Sequence, residues 1–346
     1  MTGMLRHVAI LILISLTLMA QQPAGDALKA ANEGLLQAKQ AHYREAIQAY
    51  QRAIYLDPNL PGIYLNLGLA HFKLGDFRSA ISAFDKESAR EPSDRLTTLI
   101  GMSYFGMGQF REAADRLKLM AANQPANTEL SYVLAKCYLS SGQYPEAMEV
   151  FQSLLKRDPN SAAVHMLLGQ ALDAYYRTEE AAAEFEAAAK QSPLLPEVHF
   201  GLGYLYWKLK RYDEAGREFR NELKNNARHA LAMAYLGDVE MRAGHQTGAV
   251  ELLSGSVGID KEVAIAHFDL GVLYSDLKRS EPAVGELQEA IRIDPSRFDA
   301  HYRLARLYRE LGKTVEADQE FAIVQKLHEK KDEQPLIKIH RPDVPK

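Results

Sequence analysis

The sequence predicts an all-α fold, a solenoid of antiparallel helix pairs, and three observations predict it. Prolines recur at Pro58, Pro92, Pro125, Pro159 and Pro193, in steps of 34, 33, 34 and 34, and again at Pro295. One slot on the same ruler holds a small residue directly after Leu or Ile: Gly68, Gly101, Ala135, Gly169, Gly203, Gly237, Gly271 and Ala305. Twelve residues further on stand Ala80, Ala113, Ala147, Ala181, Ala215, Ala249, Ala283 and Ala317. Self-similarity at such a period marks a repeat architecture, so the usual division of 346 residues into two or three globular domains does not apply.

Each element follows from local chemistry. The small residue of the first helix and the Ala early in the second let two backbones approach closely. Phe84, Leu117, Phe151, Phe185, Phe219, Leu253, Leu287 and Phe321 fill the space that remains. Between the helices lie short breaks such as Leu74-Gly75-Asp76-Phe77 and Ser141-Gly142-Gln143-Tyr144, where Gly supplies the left-handed turn that ends a helix. Asp-Pro or a similar pair ends the second helix, because the residue before Pro is pushed out of helical space. One such hairpin cannot bury both of its faces, so neighbours must stack.

These repeats resemble tetratricopeptide repeats. The resemblance rests on the Leu-Gly pair, the aromatic three residues later (Tyr104, Tyr138, Tyr206, Tyr274, Tyr308), the Ala, the Phe and the closing Pro. It covers residues 27–329 as nine repeats. The first is degenerate: Gly34, Ala46, Tyr50, Ala53 and Pro58 are in step, but Glu33 and Gln37 stand where apolar residues belong. The resemblance implies a right-handed superhelical solenoid whose first helices line a concave groove. One repeat, about 230–261, departs from the pattern. It lacks the closing Pro at both ends (Ala227 and Lys261) and carries Gly248, Gly255 and Gly258 in its second helix, which predicts a soft joint there.

The chain ends read differently from its middle. Residues 1–20 carry Arg6 and His7, the apolar run Val8 to Met19, and Ala20 before Gln21-Gln22-Pro23, which reads as a secretory signal peptide. Residues 21–26 read as a linker and 330–346 as a disordered tail with Pro335, Pro342 and Pro345. The expected location is periplasmic or extracellular, the alternative being a membrane anchor left uncleaved. Cys137 is the single Cys, so no internal disulfide supports the fold.

The sequence shows no catalytic machinery. It contains no Cys-x-x-Cys, His-Glu-x-x-His, phosphate loop, Gly-x-Ser-x-Gly or calcium loop, so no enzyme, cofactor or metal is expected. A net charge of −4 without a polybasic stripe argues against nucleic acid. Gly201-Leu202-Gly203 superficially resembles a dinucleotide fingerprint but lies within a helical pattern. His165, His199, His267 and His301 share one slot, and whole helix pairs separate them. They read as flat side chains packing inside the hairpins, as Tyr64 does, and not as ligands to one metal. Cys137 reads as a small, half-buried hydrophobe.

The expected partner is a protein or peptide. With the first helices lining a groove, residues at helical spacing beside the packing stripe face it. In the sixth repeat these are Phe200, Tyr204 and Trp207, the only Trp, with Lys208 beside them. Neighbouring repeats add Tyr132, Lys136, Met166 and Gln170 on one side and Phe268, Tyr302, Arg306 and Arg309 on the other. Such rings bring large area at little rotamer cost, although solenoids use the same residues to pack repeats together. Leu65, Leu69, Phe72, Met102 and Phe105 suggest a more apolar surface earlier on. The Lys and Asn pairing by which some relatives clamp a chaperone's C-terminal carboxylate is not evident. The function expected is a scaffold in an envelope assembly or secretion process. The alternatives are an accessory subunit of an envelope enzyme complex, or a membrane-tethered adaptor.

Overall fold

The computed structural model describes residues 25–333, all of it helix and connecting turn. The expected signal peptide at 1–20, and the tail from 334 onward, lie outside the described residues. The described chain forms two compact units that divide between Pro159 and Asn160. The first holds α1 (25–39), α2 (Tyr43–Leu56), α3 (Ile63–Lys73), α4 (Phe77–Ser88), α5 (Asp94–Gly106), α6 (Phe110–Asn123), α7 (Thr128–Ser140) and α8 (Tyr144–Leu155). The second holds α9 (Ala162–Ala174), α10 (Thr178–Gln191), α11 (Val198–Lys208), α12 (Tyr212–Asn225), α13 (Ala230–Arg242), α14 (Gln246–Ile259), α15 (Ala264–Asp276), α16 (Ser280–Ile293), α17 (Phe298–Glu310) and α18 (Thr314–Glu333). Among the described residues no helix is long and apolar enough to cross a membrane.

Successive helices pair as hairpins, and each pair packs on the next within its unit. The first helix begins at residue 25, inside the expected 21–26 linker. The last runs to Glu333, past the expected end of the array at 329, because Lys330 to Glu333 contain neither Gly nor Pro to stop it.

The hairpin turns obey the ruler more strictly than the sequence suggests. One residue per hairpin takes positive φ: Ala41, Gly75, Gly108 and Gly142 in the first unit, then Tyr176, Lys210, Gly244, Lys278 and Gly312 in the second. Gly was expected at this place, and four side-chain-bearing residues take it instead. The next residue's N–H reaches back to close the helix end, as from Gln143 to the Tyr138 carbonyl and from Arg211 to that of Tyr206, both at 2.8 Å. That cap holds a left-handed residue whose intrinsic cost is about 1–2 kcal/mol.

Close packing explains the small-residue slot. A methyl placed on Gly68 would lie 2.4 Å from the Phe84 ring, and one on Gly203 2.8 Å from Phe219. The eight Ala from Ala80 to Ala317 are fully buried, as are Phe84, Leu117, Phe151, Phe219 and Leu253. Phe321, in the last hairpin with no described repeat beyond it, is only half-buried.

Two first helices start in an unusual way. After Pro61 and Pro196, Gly62 and Glu197 take left-handed conformations and open α3 and α11. Each new end is capped from the second helix of its own hairpin. Buried Glu87 accepts from the N–H groups of Gly62 and Leu65, and buried Glu222 accepts from Phe200 N–H, all at 3.2 Å. A carboxylate at a helix N-terminus satisfies orphan donors and meets the positive end of the dipole.

Candidate interaction surface

Spacing of four and three residues along α11 puts Phe200, Tyr204 and Trp207 on one face. Their ring planes lie within 25° between Phe200 and Tyr204 and within 14° between Tyr204 and Trp207, at centroid distances of 6.4 and 6.1 Å. All three are half-buried. The ring that orders them is Tyr235 of α13, edge-on to Tyr204 at 5.4 Å and to Trp207 at 5.1 Å. Tyr235 also lies parallel to Phe219 in the core, and Phe200 lies 4.7 Å from the His229 ring. The α11 rings therefore both pack between repeats and keep partly open faces. Burial pushes the Tyr235 hydroxyl up to about 12, so it stays a neutral donor.

An acidic centre anchors this cluster from below. Trp207 Nε1 donates to Asp238 Oδ2 at 2.6 Å, and Arg242 Nε donates to the same oxygen at 2.7 Å. Asp269 of α15 is equally buried, and its Oδ2 has no hydrogen-bond partner. Burial raises the Asp269 carboxyl well above the ordinary carboxylate range, and the charge of Asp238 raises it further. Lys208 sits with Nζ 5.8 Å from the Tyr204 centroid and binds Asp173 of α9 at 2.5 Å.

The other expected site residues fall into separate patches. In the first unit, Lys136 Nζ lies 5.8 Å from both the Phe105 and the Tyr132 rings. In the second unit, Met166 is half-buried and Gln170 exposed on α9. Phe268 is half-buried under the Arg297 guanidinium at 4.3 Å. Tyr302, Arg306 and Arg309 are exposed, Tyr302 meeting Phe321 edge-on and Arg309 lying 4.5 Å above that same ring. The early apolar residues are less available than expected. Leu65, Leu69 and Phe72 pack on one core cluster and Met102 and Phe105 on another.

The four histidines lie inside their hairpins, with an added partner. Nδ1 of His165, His199 and His267 lies 2.6 Å from Glu184, Glu218 and Glu286, and that of His301 lies 2.5 Å from Glu320. Each Glu stands 19 residues after its His, a second periodic signal in the sequence that runs from the first helix of a hairpin to the second. Cys137 is fully rather than half buried, and burial pushes its thiol up to about 11, which makes it a poor nucleophile. Gly201 lies within α11, where an added methyl would strike Phe185 at 2.3 Å, so it serves packing and not a phosphate loop.

Among the described residues one group of side chains has the spacing to hold a metal ion: Glu197, Glu222 and His229, with ligand atoms within 4.8 Å of one another. Its atoms are already engaged. His229 Nδ1 accepts from Ala232 N–H at 3.1 Å, which leaves the ring proton on Nε2, 2.9 Å from Glu197. A metal on Nε2 would need that proton moved to Nδ1 and the α13 cap broken. Glu222, for its part, repeats the helix-capping role of Glu87.

Comparisons with known proteins agree with the helix-hairpin fold. Family models described as "Tetratricopeptide repeat" match residues 104–171, 166–220, 200–264, 264–297 and 286–319, and one described as "TPR repeat" matches 37–75. No curated protein matches the chain in sequence. Among solved structures, the C-terminal part of a TPR repeat-containing protein from Cytophaga hutchinsonii is 16% identical with a TM-score of 0.55, over 68% of this chain and 98% of that one. A chain of the APC/C hetero-tetramer Cut9-Hcn1 is also 16% identical, with a TM-score of 0.53 over 77% of this chain and 52% of that one. YrrB, described as a TPR protein with an unusual peptide-binding site, is 19% identical with a TM-score of 0.42 over 53% and 99%. At 16% identity the likeness to the first two lies in the fold. Stacked helix hairpins on a 34-residue ruler and family matches over most of their length together identify this chain as a tetratricopeptide-repeat protein.

Proposed function

We propose that the chain is a non-catalytic scaffold that binds a protein or peptide segment on the aromatic face of α11, in an exported setting such as an envelope or secretion assembly. The observation that carries the binding reading is the fixed row of Phe200, Tyr204 and Trp207. Tyr235 wedges against two of the rings and Asp238 holds the indole, so a partner meets rings already ordered. Preorganised aromatic area lowers the entropic cost of association, and a few such residues supply most of the affinity of an interface. Lys208, tied to Asp173, adds a cation at the rim. The exported setting rests on the composition of residues 1–20.

Recovery of co-purifying protein by tagged wild type, Tyr204→Ala and Trp207→Ala tests the face. Loss in both variants with helicity intact is expected, and unchanged recovery would remove the site. Intact mass of the exported protein tests the setting, with loss of residues 1–20 expected.

A further inference from the structure

We propose that the cleft between α6, α7 and α8 of the first unit is a second binding site, independent of the α11 face, and that it takes the imidazole of a histidine side chain from a partner protein. The cleft has a volume of about 320 Å³, at the lower end of the range for ligand sites. Ala121, Leu134, Val150 and Leu154 form its apolar floor, and the exposed side chains of Glu146, Glu149, Lys118 and Arg157 stand at its rim.

Its existence follows from comparing repeats. In four repeats of the second unit this position is filled from within by a His and its Glu: His165–Glu184, His199–Glu218, His267–Glu286 and His301–Glu320. Ser131 and Val150 occupy the same two slots here, one period before His165 and Glu184. The Ser131 hydroxyl turns back to the Asn127 carbonyl at 3.1 Å, so it does not reach across the hairpin to Val150.

A second closure is missing as well. In the sixth repeat Tyr206 donates to Glu186 at 2.5 Å, and in the ninth Gln288 donates to the Tyr308 hydroxyl at 2.9 Å, each tying a first helix to the preceding hairpin. The matching pair here is Tyr138 and Lys118. Lys118 instead folds onto Asp115 of its own helix, and the Tyr138 hydroxyl bonds to no described residue.

The lining chemistry selects the occupant. Glu146, Glu149, Val150 and Ser153 share one face of α8 by helical spacing. Neither Glu forms an ion pair among the described residues, and both lie close enough to Tyr138 for their charges to raise its hydroxyl, beyond the larger effect of burial. An incoming flat ring finds apolar walls where the internal imidazole sits in other repeats. Its N–H finds an unpaired carboxylate, and the Tyr138 hydroxyl offers a donor to the other ring nitrogen.

The test titrates the full chain with N-acetyl-Gly-His-Gly-amide and with its Ala counterpart up to about 10 mM, following backbone amide resonances. Saturable shifts at Ser131, Val150 and Ser153 are expected with the His peptide and at least tenfold weaker ones with the Ala peptide. The double variant Ser131→His, Val150→Glu rebuilds the internal pair and should abolish the response. Ser131→Leu fills the same space without a charge and should do the same if the double variant fails to unfold cooperatively. Trp207→Ala should respond as wild type does, so failure here is distinguishable from failure of the α11 face. Equal response to both peptides, no response, or a response that survives filling overturns the proposal.

Discussion

Trp207 and Asp238, 31 residues apart and on the first helices of consecutive repeats, are joined by an indole N–H donated to a buried carboxylate at 2.6 Å. The bond makes the indole a strut between repeats as well as a surface. Trp207→Phe keeps a ring in the row but leaves Asp238 with one donor fewer. A hydrogen bond to a charged group contributes about 1.5–3 kcal/mol, so a loss of that order is expected. Urea unfolding should show a lower midpoint with an unchanged slope.

The same substitution separates packing from recognition. Trp207→Phe retains most of the aromatic face, so it should keep more partner than Trp207→Ala at matched folded fractions. Equal loss in both would mean that the indole N–H, and not the ring area, is what the partner needs.

Glycines in α14 and α13 should respond in opposite directions. Gly248 and Gly258 lie within α14 with nothing near an added methyl, so Ala there should stabilise by about 0.5–1 kcal/mol each. At Gly237 of α13 an added methyl would lie 2.6 Å from Leu253, so Ala should destabilise through overpacking, by about 1–3 kcal/mol. α14 forms without a break despite its glycines, and amide exchange should still be faster there than in α12 or α16. Equal protection across the three helices would remove the soft joint.

The helix pairs were legible because the residues that build them recur: a 34-residue ruler carries the small slot, the Ala and the closing Pro without reference to any neighbour. The site was legible only in outline. Phe200, Tyr204 and Trp207 follow from helical spacing on α11, but their partner Tyr235 occupies the slot held by Gly201 in the repeat before and Asp269 in the repeat after. Contacts made once in the array leave no periodic trace. Asp238 and Asp269 are a case of this, since neither recurs and burial of an acid runs against its composition signal. The His–Glu pairs are the opposite case, recurring at a fixed 19-residue interval that becomes meaningful once both helices of a hairpin are seen face to face.

Those pairs should show measurable coupling. His267 and Glu286 are mostly buried and meet at 2.6 Å. In a cycle of His267→Ala, Glu286→Ala and the double variant, a coupling of about 0.5–3 kcal/mol is expected. The cycle should be read at a pH held constant across all four proteins. A coupling indistinguishable from zero would mean that the pair fills space without binding energy.

Asp269 sets a pH dependence whose sign is opposite to that of most carboxylates. Its folded-state carboxyl titrates well above the ordinary value, because burial and then Asp238 disfavour the charge, opposed in part by Arg297 and Arg242. Between the unfolded value, about 3.9, and the raised folded one, the native state holds more protons than the unfolded chain, so stability falls as pH rises. The cost is absent below the unfolded value and complete once pH exceeds the folded one. Asp269→Asn keeps the shape and removes the titration. The variant should therefore gain over wild type as pH increases, with a Tm difference larger at pH 8 than at pH 4. A difference that stays constant across that range would mean that the carboxyl finds solvent or a counter-ion when it ionises, and that its unpartnered oxygen stores no electrostatic cost.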